Sequence, residues 1–375
     1  MTTPGRKPKR RHGAPARLAQ AIASPRGRRL RATVGLTLGL GLIAAALVIV
    51  AQRWPEVAQA WSHAAEAPRW LIAAALLLPL ANWLIISFSF YLLTRRFGQV
   101  APGEMAALIG GAWLLNFLPM RPGMFGRVAY HKLVNGIPVK ASARVLFEAV
   151  ALTGIALIPL LVIFALLAWP LAQASPATGW TLLALATAPL LLAGAGARLA
   201  HSEKLALFVI SAAARYLDCV VWVARYAALF ALIGEPVGLV TAIAVAAASQ
   251  IVLLVPIVGN GLGLRESAVY LLAPIAARVD PQAAAAFASD ADTIGSGVAL
   301  SADLVNRAAE LLIAVPVGLI SLAVIARRLR KRGITKKQLA AAQAQAQSPT
   351  QPTTQPNTHN QPTNEKPQTP PPAGR

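Results

Sequence analysis

A chain of 375 residues that is 56% hydrophobic and only 13% charged carries about half the charge of an ordinary globular protein, and a soluble protein of this length cannot hide that much apolar surface. The formal charge of +21 points towards nucleic acid until it is located. Residues 1–31 hold ten Lys/Arg and no acid, and residues 327–375 hold nine with Glu365 alone opposing them, so the tails supply +18 and the middle is nearly neutral; no aromatic–basic platform accompanies the charge, which excludes a nucleic-acid partner.

Taken in chain order, residues 1–31 form a basic arm of the kind that stays cytoplasmic beside an apolar span. Such an arm also touches anionic headgroups, at roughly 1 kcal/mol per basic side chain near the surface. The run 32–51 follows. Ala58-Gln59-Ala60 imitates a cleavage site, but the apolar stretch is too long for a signal peptide, so it reads as a retained first span. Spans of about 20 residues are expected at 32–51, 70–93, 146–168, 179–197, 216–234 and 308–326. Two further apolar runs, 105–118 and 237–258, end in segments rich in glycine and proline, where helices break. Cys219 is the single cysteine and lies in an apolar run, which excludes an intramolecular disulfide. From about Gln338 the chain turns Gln/Pro/Thr/Ala-rich and is expected to be disordered, with no soluble domain after the last span.

Charge placement gives a topology. Arg95-Arg96 after the second span is expected inside, as are Arg121, Arg127, Lys132, Lys140 and Arg144 after the first interrupted run. Both loops are cytoplasmic only if 105–118 enters and returns. The uncharged loop 169–178 suits the outside, and Arg327-Arg328 requires the chain to finish inside. The second interrupted run then dips in from the outside. The expected fold is all-α and polytopic, with about six full spans and two re-entrant or broken segments as inverted repeats, one over 32–168 and one over 179–327. Paired interrupted segments in corresponding positions point to a transport site between such repeats. The alternative is that 237–258 simply crosses and 267–277 crosses back.

The two broken segments are chemically related. The first reads Asn116-Phe-Leu-Pro119-Met-Arg121-Pro-Gly123-Met-Phe-Gly126-Arg127, and the second runs from Pro256 through Gly259, Gly261 and Gly263 to Arg265-Glu266. A broken helix at membrane depth exposes backbone N–H groups that must face a cavity or protein. Those groups favour an anion, and an adjacent arginine grips phosphate bidentately. On the plainer reading the loops are tight interhelical turns with snorkelling arginines. Glu148 follows Arg144 by four residues, and Glu310 follows Arg307 by three with Asp303 a further turn back, so each set shares a helix face. Glu148 is expected near Arg121 or Arg127, and Glu310 near Arg265; local ion pairs within each helix are the alternative. Arg215, Asp218, Trp222 and Arg225 share one face of the fifth span. A charge at the position of Arg225 costs at least about 2.5 kcal/mol in lipid and so faces the interior, either paired with Asp218 or lining a headgroup path.

Signals of catalysis are weak. The five histidines (12, 63, 131, 201 and 359) lack metal-ligand spacing, and neither HExxH, GxSxG nor a Walker A sequence occurs. Asp290-Ala-Asp292 imitates a metal-binding pair but reads as a solvated helix start.

These loop motifs resemble those of the lysylphosphatidylglycerol synthase transmembrane region, the flippase-like family of integral membrane proteins. The resemblance covers most of 32–327 and rests on Asn116, Leu118-Pro119, Arg121, Gly123 and Arg127, and on Pro256, Gly261-Leu-Gly263 and Arg265-Glu266. After Gly123, where relatives carry an acid, this chain has Met124. Without a fused aminoacyltransferase domain, the resemblance implies lipid translocation or handling without synthesis, in a bacterial inner membrane with both termini cytoplasmic. Membrane phospholipids are then the partners, together with a separate lipid-modifying enzyme as a further candidate, and no cofactor is implied. Asn116, Arg121, Gly123, Arg127, Arg225, Gly261, Gly263, Arg265 and Glu266 are the expected substrate residues, and Glu148, Asp218, Asp303, Arg307 and Glu310 the charge-balancing or proton-coupling ones. The competing functions are a membrane-embedded enzyme or enzyme subunit acting on polyprenyl-phosphate or lipid-linked substrates, and a non-transporting scaffold.

Overall fold

The computed structural model describes residues 66–118, 122–168, 177–254, 263–280 and 294–347, with isolated positions at 55, 58, 62 and 63. The basic arm 1–31, the expected span 32–51, Pro119, Arg121, Pro256, Gly259, Gly261, Asp290, Asp292 and the tail from 348 lie outside these residues. Among the described residues there are ten helices and no strand. They are α1 (Arg69–Arg95), α2 (Pro102–Leu115), α3 (Pro122–Val134), α4 (Val139–Ala168), α5 (Ala177–Arg198), α6 (Glu203–Leu232), α7 (Leu239–Leu254), α8 (Leu264–Ala277), α9 (Ile294–Lys331) and α10 (Lys336–Gln347).

Helices α1, α4, α6 and α9 are long and apolar enough to cross a membrane, for which about 20 residues suffice. Their outward faces carry Leu84, Phe88, Ile155, Ile158, Leu312 and Ile320 exposed, as lipid rather than water would require. The chain is therefore read as a helical membrane protein. Helix α5 has 22 residues and is apolar over Ala184–Arg198, whereas α7 has 16 residues and falls short of that length. Each long helix except α6 holds one internal proline, Pro79, Pro159 or Pro316, which neighbouring helices make tolerable at membrane depth.

Two elements are longer than hydropathy alone predicts. Helix α6 begins at Glu203, capped by Ser202, whose Oγ accepts from the Leu205 N–H at 3.3 Å. Helix α9 extends well before 308. The α9 extension carries Asp303 and Arg307, which would end an apolar window but are buried and paired inside the protein; the α6 extension opens on the exposed Glu203 and Lys204 and carries Arg215 buried. Conversely, part of the segment expected to be disordered, 338–347, is helical. Its Ala/Gln repeat favours helix, Thr335 and Gln338 cap each other's backbone N–H, and α10 packs on α3, where Lys132 meets Gln345.

Helices α1 and α6 pack against each other along their length. Leu71 and Ala75 near the start of α1 meet Leu229 and Leu232 near the end of α6. Ser89, towards the end of α1, meets Ser211, towards the start of α6, with 2.8 Å between the two Oγ atoms. The pair is thus antiparallel. Around it, α2 packs on α1 and α9, and α7 packs on α6 and α4. The α2–α9 contact is made close by small residues. A Cβ on Gly110 would strike Ser321, and one on Gly318 would strike Leu114, so backbones approach as they do at small-residue interfaces in membranes. The largest apolar core joins α4, α6, α7, α8 and α9, through residues such as Leu160, Trp222, Phe230, Ile243, Val269 and Ala302.

Candidate functional site

Helix α8 starts where it does because of Gly263, whose φ of +80° is a left-handed conformation that favours glycine. Its N–H donates to Glu266 Oε2 at 2.7 Å, so the acid caps its own helix. That start places Arg265 in the first turn, pointing into protein, with none of its surface exposed. Its Nε lies 3.0 Å from Asp303 Oδ1 and its Nη1 3.3 Å from Glu310 Oε2. Glu310 also accepts from Arg225 at 3.0 Å through its other oxygen. Arg307 donates to Glu266 Oε1 at 3.0 Å and stands 3.7 Å from Glu310. The Tyr226 hydroxyl donates to Asp303 at 2.7 Å and meets Ser249 at 2.6 Å. Arg225 donates further to Asn306 and lies over the Trp222 ring at 4.1 Å.

Three arginines, Arg225, Arg265 and Arg307, thus meet three carboxylates, Glu266, Asp303 and Glu310, at the junction of α6, α8 and α9. All six are buried. A buried ion pair contributes little net stability over an apolar core, but removing one partner costs about 3–5 kcal/mol because it strands the other. Asn82 of α1 ties this cluster to the other half. Its Oδ1 accepts from Arg225 at 3.0 Å, while its Nδ2 donates to Asp218 Oδ1 at 2.7 Å and to the Asp218 carbonyl at 3.1 Å. The expected contact of Glu310 with Arg265 is present. Arg225 does not take Asp218 as its partner: Asn82 stands between them and binds both.

The first half is arranged differently. A Cβ on Gly123 would come within 2.5 Å of the Ala112 backbone, so this glycine allows the start of α3 to lie against the end of α2. Asn116 follows α2 as its cap residue, and its Oδ1 is buried without a hydrogen-bond partner among the described residues. Glu148 goes to Arg96 at 2.7 Å and to Arg144 at 2.8 Å. Arg96 ends α1 on the side where α4 begins, so it reaches the carboxylate expected near Arg121 or Arg127, of which Arg121 lies outside the described residues. Arg127 instead lies with its guanidinium 3.9 Å from the centre of the Phe90 ring, and Arg215 lies 4.7 Å from the same ring. Among the described residues neither arginine makes an ion pair or a hydrogen bond. Burial, and then the charge on Arg215, lower the Arg127 guanidinium to about 9. That leaves it protonated at neutral pH.

Beside it, α3 carries a second cluster at the ends of the helices. Glu104 accepts from Asn135 at 3.0 Å and from Arg328 at 2.8 Å, joining α2, α3 and α9. His131 meets Asn135 at 3.1 Å and is pushed down to about 4, first by burial and then by Arg127. Among the described residues, no three His, Cys, Asp or Glu side chains group so as to hold a metal ion.

Asn82, Asn306, Tyr226 and Phe90 are the site residues that sequence reasoning passes over. Asn82 has a signal, being a lone amide in the middle of an apolar span. Phe90 has none. Compared with known proteins, the chain matches no family model, no curated protein and no solved structure.

Proposed function

We propose that this chain moves an anionic lipid across a bacterial inner membrane, passing the headgroup between two inverted halves, with both termini cytoplasmic. The observation that carries this reading is the concentration of buried charge within membrane-length helices. Charged side chains at membrane depth are costly and mark substrate or ion pathways. Here they gather beside two broken segments, α2–α3 and α7–α8, as in transporters whose sites lie between repeats.

The packing supports the inverted arrangement. Exchange α1 with α6, α2 with α7, α3 with α8 and α4 with α9. The contact of α2 with α9 then maps onto that of α7 with α4, α3–α4 onto α8–α9, and α1–α9 onto α6–α4; all of these contacts occur. The α1–α6 contact maps onto itself. Asn82 and Asp218, which bond across it, stand 13 residues before the end of α1 and 14 before the end of α6. Those are nearly equivalent places, as expected at a pseudo-twofold axis. Gly123 and Arg127 have the same spacing as Gly261 and Arg265. The resemblance of these loops to the flippase-like family supports the same reading.

The test is a fluorescent anionic lipid in proteoliposomes, with outer-leaflet fluorescence quenched chemically. The reading predicts faster exchange between leaflets than in protein-free vesicles. Equal rates would refute it, and a new lipid product formed from a polyprenyl-phosphate donor would put the enzymatic reading in its place.

A further inference from the structure

The arginines of the two halves differ in one respect that bears on where an anion binds. Around α8 and α9 each guanidinium has a carboxylate: Arg225 and Arg265 share Glu310, and Arg307 takes Glu266. That cluster is neutral as it stands, and an added anion there would have to displace a carboxylate. Around α3 the situation is reversed. Arg127 is 8% exposed and Arg215 6%, yet among the described residues neither has a carboxylate within ion-pair distance. Nε of Arg215 is buried with no hydrogen-bond partner among the described residues. Asp218, a turn further along α6, offsets part of the Arg215 charge but accepts its hydrogen bond from Asn82.

The sequence accounts for the asymmetry. Where α9 supplies Asp303 and Glu310, the matching stretch of α4 has one acid, Glu148, which pairs with Arg96 and Arg144. Aligning their internal prolines, Pro159 and Pro316, sets Leu146 and Thr153 opposite those two acids. Two like charges are therefore held together away from water, with no carboxylate of the described residues within ion-pair distance of either and only Asp218 near Arg215. Two buried cations beside a single carboxylate remain short of counter-charge, which is costly, and a bound anion lowers that cost. Because both guanidinium carbons lie near one ring centre, at 3.9 and 4.7 Å, they are no more than the sum of those distances apart. A phosphate accepting from two guanidinium forks at ~2.8 Å brings the carbons to about 8 Å apart at most, and closer when the forks approach from one side.

We infer that Arg127 and Arg215 form a site for a phosphate-bearing anion, with Phe90 holding the two guanidinium groups, while Arg225, Arg265 and Arg307 are already neutralised by their carboxylates. The identification of that phosphate with a lipid headgroup rests on the transport reading above. Free phosphate shares the chemistry, and the two sources are separated by experiment.

The full chain is placed in phosphatidylcholine nanodiscs and its thermal unfolding followed with added phosphatidylglycerol or, separately, inorganic phosphate against chloride at equal ionic strength. The wild type is expected to unfold at a higher temperature with at least one of them; a response to phosphatidylglycerol alone assigns the headgroup, and a response to phosphate alone assigns the free ion. Arg127→Gln and Arg215→Gln are each expected to weaken that response at least tenfold in anion concentration. In neutral lipid they should unfold no earlier than the wild type, since each removes an unpaired buried cation. Phe90→Leu, which changes no charge, should weaken it as well. The site is refuted if either arginine variant responds like the wild type, if both unfold earlier in neutral lipid as structural residues would, or if the wild type responds to neither anion. Anion binding without lipid movement in vesicles would leave the site standing and overturn the transport reading. Movement of phosphatidylglycerol at the wild-type rate by the Arg127→Gln/Arg215→Gln variant would do the opposite.

Discussion

Replacing Arg265 by methionine strands Asp303 and leaves Glu310 with Arg225 and Arg307 alone. The expected loss is about 3–5 kcal/mol, read as a lower unfolding temperature in detergent. Adding Asp303→Asn to that variant should recover part of the loss, because the amide no longer needs a cation. Gly263→Ala acts through the backbone: a left-handed φ costs roughly 1–2 kcal/mol for a residue with a Cβ, and a drop of that size in the same assay is expected. At this scale the sequence is partly legible. The 3-4-3 spacing puts Arg215, Asp218, Trp222 and Arg225 on one face of α6, and the paired loops single out Arg265, Glu266, Asp303, Arg307 and Glu310. Which charge meets which is not legible, because pairing depends on packing between distant elements. Arg96 reaches Glu148, and Asn82 of α1 separates two residues of α6 that share a face.

At the scale of elements, the joint between α2 and α3 depends on Gly123, and Gly123→Ala should cost about 1–3 kcal/mol through overpacking against Ala112. Its packing role also explains the glycine without a ligand. The same helix carries a pH dependence. His131 is held neutral, at about 4 against the usual 6.5, while an unfolded chain takes up the proton as pH falls below 6.5. The unfolded state thus binds more protons between those values, and stability falls as pH drops from about 6.5 towards 4. Other acids titrate in the same window, so the informative quantity is the difference from His131→Gln, in which this part of the slope should vanish. Spans such as α1 are visible as uninterrupted apolar runs. Hydropathy alone cuts α6 and α9 short, because their buried charges resemble helix ends when seen one residue at a time. The start of α10 is hidden by a composition that also describes disorder.

For the molecule as a whole, the antiparallel α1–α6 pair is the seam between the halves. Ser89 and Ser211, 2.8 Å apart at Oγ, test it. With Cys219→Ala as background, Ser89→Cys/Ser211→Cys should cross-link under mild oxidation in membranes, seen as a mobility shift reversed by reductant. Absence of the cross-link would count against this packing. The proposed inverted plan is already suggested by the sequence, because basic loops and broken helices recur there with opposite orientation. The asymmetry between a neutral charge network in one half and an open cation pair in the other is harder to see, since it rests on where the acid of α4 goes: Glu148 pairs with Arg96 and Arg144 and not with Arg127.

The most direct test of the account is the selectivity of lipid movement. Transfer of fluorescent phosphatidylglycerol and phosphatidylcholine is compared in proteoliposomes holding wild-type protein or the Arg127→Gln/Arg215→Gln variant. The account predicts that the wild type favours the anionic lipid and that the variant, folded by its unfolding profile, loses that preference. Equal transfer of both lipids by the wild type, or an unchanged preference in the variant, would contradict it.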